Sequence, residues 1–96
     1  MDPMEDYKYL LALHLRDISK RYGLLYCDII SSKIPPEAQV AYKGGLARLF
    51  EYMSARHGLE NADILAVHDT VLETVFTEFI TEALVNSVLD NPKALH

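Results

Sequence analysis

The chain has a single cysteine, Cys27, and no tryptophan in 96 residues. A lone cysteine rules out an intrachain disulfide framework, so a reducing cytoplasm is the expected compartment. Long apolar runs are missing too. The longest, Tyr9–Leu13 and Gly23–Cys27, are far too short to cross a bilayer. The opening residues, Met1 to Asp6, are acidic where a secretory signal would be basic, so no export signal is expected. Glycine and proline number four each, and no linker or low-complexity stretch divides the chain. One domain, residues 1–96, is the expectation. Half the residues are hydrophobic and 24% are charged, which places the chain among globular proteins and not disordered ones.

Positive charge is absent from a long stretch. Between His57 and Pro92 there is no lysine or arginine, while Glu60, Asp63, Asp69, Glu73, Glu78, Glu82 and Asp90 all fall there. The bases sit earlier: Lys8, Arg16, Lys20, Arg21, Lys33, Lys43, Arg48 and Arg56. The net charge of −5 therefore hides a basic middle and an acidic C-terminal segment, which are expected to meet within the fold or across to a partner.

Recognisable reaction chemistry is equally scarce. His14, His57, His68 and His96 are scattered, with no His four residues from another and no Glu-x-x-His. Neither a zinc protease nor a di-iron site is supported. The pairs Asp69/Glu73 and Glu78/Glu82 read as a solvated acidic face, not a cation site. Gly44-Gly45 lacks the preceding strand and following Gly-Lys-Ser/Thr of a phosphate loop. The six tyrosines form no single spaced row for stacking bases. Cys27 has no neighbouring base and reads as a buried structural thiol, and His14 and His68 as hydrogen-bonded core or interface histidines. No catalytic residue, metal or cofactor is expected.

The pattern that remains is helical. Asp2-Pro3-Met4-Glu5 has the residues of a helix start, and apolar positions follow at Tyr7, Leu10, Leu11, Leu15, Ile18, Tyr22, Leu25 and Ile29. Gly23 interrupts this series, leaving one long helix or two. Pro35-Pro36 ends it, and Pro36-Glu37 opens the next. That helix presents Val40 or Ala41, Tyr42, Leu46, Leu49, Phe50 and Met53, and closes at Gly58-Leu59. Gly44-Gly45 inside it either weakens it or admits a close neighbour. Asn61 or Asp63 is expected to cap a last helix that runs to about Leu89.

Residues Leu15–Ile30 resemble a helix-turn-helix. Ser19 fills the small-residue position, Gly23 the turn and Ile29 the branched anchor. The resemblance implies a recognition helix over Leu25–Lys33, with Arg16, Lys20, Arg21 and Lys33 facing nucleic acid. That helix, however, carries no Arg, Asn or Gln to read bases, and it carries Asp28.

The last helix has the most unusual spacing. From Asp69, two polar residues and two apolar residues alternate four times. The apolar pairs are Val71-Leu72, Val75-Phe76, Phe79-Ile80 and Ala83-Leu84. Four residues overshoot a helical turn by about 40°, so the apolar stripe migrates round the helix and drifts toward right-handed supercoiling. One flat neighbour cannot cover such a stripe, so either the partner wraps or different neighbours cover its two ends. Threonines and unpaired acids give this helix poor intrinsic stability, so packing must hold it. At about 43 Å it would overhang a compact chain with a radius of gyration near 13 Å.

The expected fold is therefore all-α, three long helices or four with a break at Gly23, in a bundle completed by homodimerisation. The expected interface is Val75, Phe76, Phe79, Ile80, Leu84 and Val88. The expected function is that of a small, non-catalytic regulatory or adaptor protein acting through protein–protein contacts. The alternative is a dimeric helix-turn-helix regulator that binds DNA.

Overall fold

The computed structural model describes residues 2–90. They form four helices and no strand: α1 (Pro3–Tyr22), α2 (Tyr26–Ile30), α3 (Pro36–His57) and α4 (Asn61–Asp90). The chain is all-α, with the break at Gly23. Cross-helix partners give the topology. Tyr7 meets His68 and Arg16 meets Glu82, so α1 and α4 run parallel. Asp6 meets His57 and His14 meets Tyr42, so α3 runs antiparallel to both. The result is an up-down-up three-helix bundle with α2 crossing between the top of α1 and α4.

Local chemistry sets the helix ends. Asp2 accepts from the Met4 amide at 3.0 Å, and Pro3 occupies the first turn where its missing N–H costs nothing. Gly23 ends α1 in the left-handed region (φ 65°), donating to the Ser19 carbonyl. Gly58 ends α3 the same way, and Leu59 packs back onto the core. At α4 the expected cap is corrected. Neither Asn61 nor Asp63 precedes the helix; Asp63 instead reaches back to accept from the Glu60 amide at 3.1 Å. This is the returning half of a capping box.

The core holds Tyr7, Leu11, Leu15 and Ile18 from α1, Ile29 from α2, Tyr42 and Met53 from α3, and Ile64, Val71, Val75 and Phe79 from α4. On α3 Ala41, not Val40, joins the packed side; Val40 lies in solvent. Leu25, expected on the α1 stripe, is 67% exposed. The break at Gly23 takes it off the helix and makes it the residue that precedes α2.

Helix lengths are unequal. At about 1.5 Å per residue, the 20 residues of α1 and 22 of α3 are both outrun by the 30 of α4. Because α1 and α4 start level, the end of α4 projects beyond the bundle. The molecule is accordingly elongated, 50 × 33 × 18 Å, with a radius of gyration of 15.2 Å.

Candidate functional site

Three histidines join the helices. His68 Nδ1 lies 2.6 Å from the Tyr7 hydroxyl. Burial pushes the Tyr7 phenol well above its ordinary range and pulls His68 below its own, so the hydrogen bond joins two groups that burial favours in their neutral forms. His57 Nε2 donates to Asp6 Oδ2 at 2.8 Å, and both side chains are nearly enclosed. That hydrogen bond holds the Asp6 carboxyl below the usual carboxylate range against the opposing effect of burial, with help from Tyr52 and Arg56. His14 Nε2 donates to the Tyr42 carbonyl at 2.9 Å, its ring stacked on the Tyr42 ring. Gly45 makes this possible, because a Cβ there would fall 2.0 Å from the His14 ring. Each histidine is thus held by a neighbouring helix, and none faces a nucleophile or a second ligand. Among the described residues no cluster of three His, Cys, Asp or Glu is placed to hold a metal ion.

The reading of Cys27 as buried is corrected. It is exposed in the first turn of α2. Helix α2 is one-sided, and only Ile29 on its inner face is fully buried.

In the helix-turn-helix-like stretch, the three pattern positions take the local roles the pattern requires. The Ser19 hydroxyl donates to the Leu24 carbonyl at 2.6 Å, Gly23 makes the turn and Ile29 anchors in the core. The helix that follows is shorter than expected, five residues and not Leu25–Lys33. Ser31 bonds back to the Cys27 carbonyl, Ser32 turns left-handed (φ 61°), and the Lys33 amide closes on Asp28. Of the four candidate nucleic-acid residues, Arg16 pairs with Glu82 at 2.8 Å and lies 4.8 Å over the Phe79 ring. Arg21 pairs with Asp17 at 2.6 Å. Lys20 and Lys33 are exposed. The basic and acidic blocks do meet, through Arg16–Glu82 and Lys8–Glu78 (3.0 Å).

The period of four in α4 resolves into two stripes. Of the first members of the four apolar pairs, Val71, Val75 and Phe79 point into the bundle and are buried, and Ala83 is exposed. The second members drift outward. Leu72 and Phe76 are half-buried, Ile80 is 44% exposed and Leu84 63%. Val88 continues this stripe at the same spacing and is half-buried. Of the six expected interface residues, Phe76, Ile80, Leu84 and Val88 lie on the outward stripe. Val75 and Phe79 belong to the chain's own core, because the bundle already covers that side of the helix. Val85 and Leu89, not singled out from the sequence, are exposed on the projecting end beside Leu84 and Val88. Their i, i+1, i+4, i+5 relation to Leu84 was the available signal.

Among the described residues no helix is long and apolar enough to cross a membrane. Compared with known proteins, the chain matches no protein-family model, no curated protein and no solved structure.

Proposed function

We propose that the protein is a small, non-catalytic regulatory or adaptor protein that works as a homodimer, with α4 as the dimerising element. The observation that carries this reading is the outward stripe Leu72, Phe76, Ile80, Leu84 and Val88, which runs from the flank of the bundle onto the projecting end. Contiguous apolar surface of this kind, rimmed by the polar residues Glu73, Thr77 and Thr81, marks a protein contact. A second copy of α4 supplies a matching stripe with the same drift, so two such helices can wrap each other along it. Among the described residues the enclosed polar pairs Tyr7–His68, Asp6–His57 and His14–Tyr42 each join two helices, which favours a binding role over a catalytic one.

The DNA-binding alternative has less to support it. The helix after the turn spans only Tyr26–Ile30, and Arg16 and Arg21 are already paired within the chain.

Sedimentation at micromolar concentration tests the dimer. The unaltered chain should sediment as a dimer, and Leu84→Glu as a folded monomer with unchanged helical circular dichroism. A stable monomer for the unaltered chain would remove α4 as dimeriser. Heparin chromatography at low salt separates the two functions: the adaptor passes through, whereas strong salt-sensitive retention would favour DNA.

A further inference from the structure

We propose that the groove between α1 and α3, on the side of the bundle away from α4, docks an acidic amphipathic helix of a partner protein. The groove is an open, shallow depression of about 330 Å³ with an apolar floor of Leu10 and Leu49. Tyr52 and Arg48 stand on its α3 rim, and His14 over Gly45 closes one end. Its residues recur at helical spacing on two antiparallel rods, Leu10–His14 against Gly45–Arg48–Leu49–Tyr52. Such a furrow accepts the side-chain ridge of a third helix, and the docking mode is that of a helix in a groove read at i, i+3 and i+4. Tyr9 and Leu13, exposed on the neighbouring face of α1, extend the apolar surface to one side.

Charge decides what kind of helix fits. The protein as a whole is acidic, but this groove is locally the reverse. Of the acids on the α1 side, Asp17 is paired with Arg21, and Asp6 is turned inward into a hydrogen bond from His57. On the α3 side Arg48, Tyr52 and Arg56 follow one another at four-residue steps. Neither arginine enters an ion pair among the described residues. Arg48 lines the groove itself, and Arg56 lies two helical turns further along the same face of α3. An incoming helix with leucine-like residues on one stripe and glutamates beside it fills the floor and meets both guanidinium groups. A basic helix fills the same floor but meets repulsion from Arg48.

The inference rests on the adaptor reading and supplies the surface by which the dimer would hold its target. The test uses the full chain, isotope-labelled for NMR, and two designed helical peptides with the same leucine stripe. One carries Glu beside the stripe, the other Lys. The Glu peptide should shift the resonances of Leu10, His14, Leu49 and Tyr52 and bind about tenfold more tightly than the Lys peptide. Arg48 is exposed, so Arg48→Glu should leave the fold intact and reverse that preference. Equal affinities, no binding by either peptide, or shifts confined to α4 would overturn the proposal. Two further outcomes would also overturn it by naming another occupant. An oligothymidine that shifts the groove where the Glu peptide does not would assign Arg48, Tyr52 and Arg56 to nucleic acid. Loss of the dimer in Arg48→Glu would assign the groove to a second copy of the chain. The α4 reading is tested apart from this, because Leu84→Glu should leave peptide binding unchanged.

Discussion

The lower part of α4, Asn61 to Phe79, and its upper end, Ile80 to Leu89, are one continuous helix built from one kind of sequence, yet they live in different surroundings. Below, Ile64, Val71, Val75 and Phe79 are buried against α1, α2 and α3. Above, Ile80, Leu84, Val85 and Leu89 stand in solvent. Composition does not explain the contrast, since apolar residues recur through both parts. Two geometric facts do. The four-residue period turns the second member of each pair away from the bundle, and α1 and α3 end before α4 does. Where an apolar helix face lies beyond its own domain, its stability has to come from elsewhere.

The sharpest way to break this comparison is to place the same charge in each part. Val75→Asp puts a carboxylate at a site with no exposure and no partner. It should cost about 4 kcal/mol or more and leave the chain largely unfolded in thermal and urea melts. Leu84→Glu should leave the fold of each subunit in place, the loss falling on assembly. If Leu84→Glu unfolded the chain as fully as Val75→Asp, folding and assembly would be one event. If Val75→Asp were tolerated, the packing described for the lower part would be wrong.

How much of this was legible in the sequence differs by level. The all-α class, the ends at Gly58 and Pro36 and the length of α4 follow from spacing and capping residues, which act within a few positions, whereas Gly23 marks an interruption without deciding between three helices and four. The two-stripe division of α4 was only half visible. Period shows which residues are apolar, but not which neighbour covers them, so the sequence alone places Val75 and Phe79 at an interface when the chain's own bundle already encloses them. The links Asp6–His57 and Tyr7–His68 join residues 51 and 61 positions apart, and no local pattern announces them. Cys27 was misplaced because its burial depends on which way a one-turn helix faces. Gly44 and Gly45 are indistinguishable as letters.

Those two glycines give a second comparison of intermediate size, within the packed part of the molecule. A Cβ at Gly45 collides with the His14 ring, whereas one at Gly44 meets nothing within 4 Å. Gly45→Ala should displace His14 from Tyr42 and cost about 1–3 kcal/mol, as overpacking does. Gly44→Ala should stabilise the chain by about 0.5–1 kcal/mol, because it only restricts the unfolded backbone. Urea midpoints of the two variants should move in opposite directions. Equal shifts would mean that α1 does not approach α3 as closely as His14 requires.

The smallest expected effect is a pH dependence confined to the packed part. The titrating links Tyr7–His68 and Asp6–His57 lie at the lower end of the bundle, while Glu82 is the one titratable side chain between Ile80 and Leu89. His68 is lowered from 6.5 by burial, with Asp69 acting weakly the other way. The unfolded chain therefore takes up this proton first. Stability from His68 is complete above pH 6.5 and declines as the pH falls below it, by less than about 1.4 kcal/mol per pH unit for one group. Asp6 is lowered from 3.8, chiefly by the hydrogen bond from His57, so its contribution persists to more acid conditions and is lost only as the pH falls further through that lowered value. The two groups thus predict two acid steps of the same sign in separate windows. In His68→Gln, which keeps a polar group opposite Tyr7 but does not titrate, the urea midpoint should stay flatter between pH 7 and 5. In Asp6→Asn the step below the usual carboxylate range should shrink while the upper one remains. An upper step that survives His68→Gln undiminished would show that another group carries it, and that the neutral imidazole is not what holds α1 to α4.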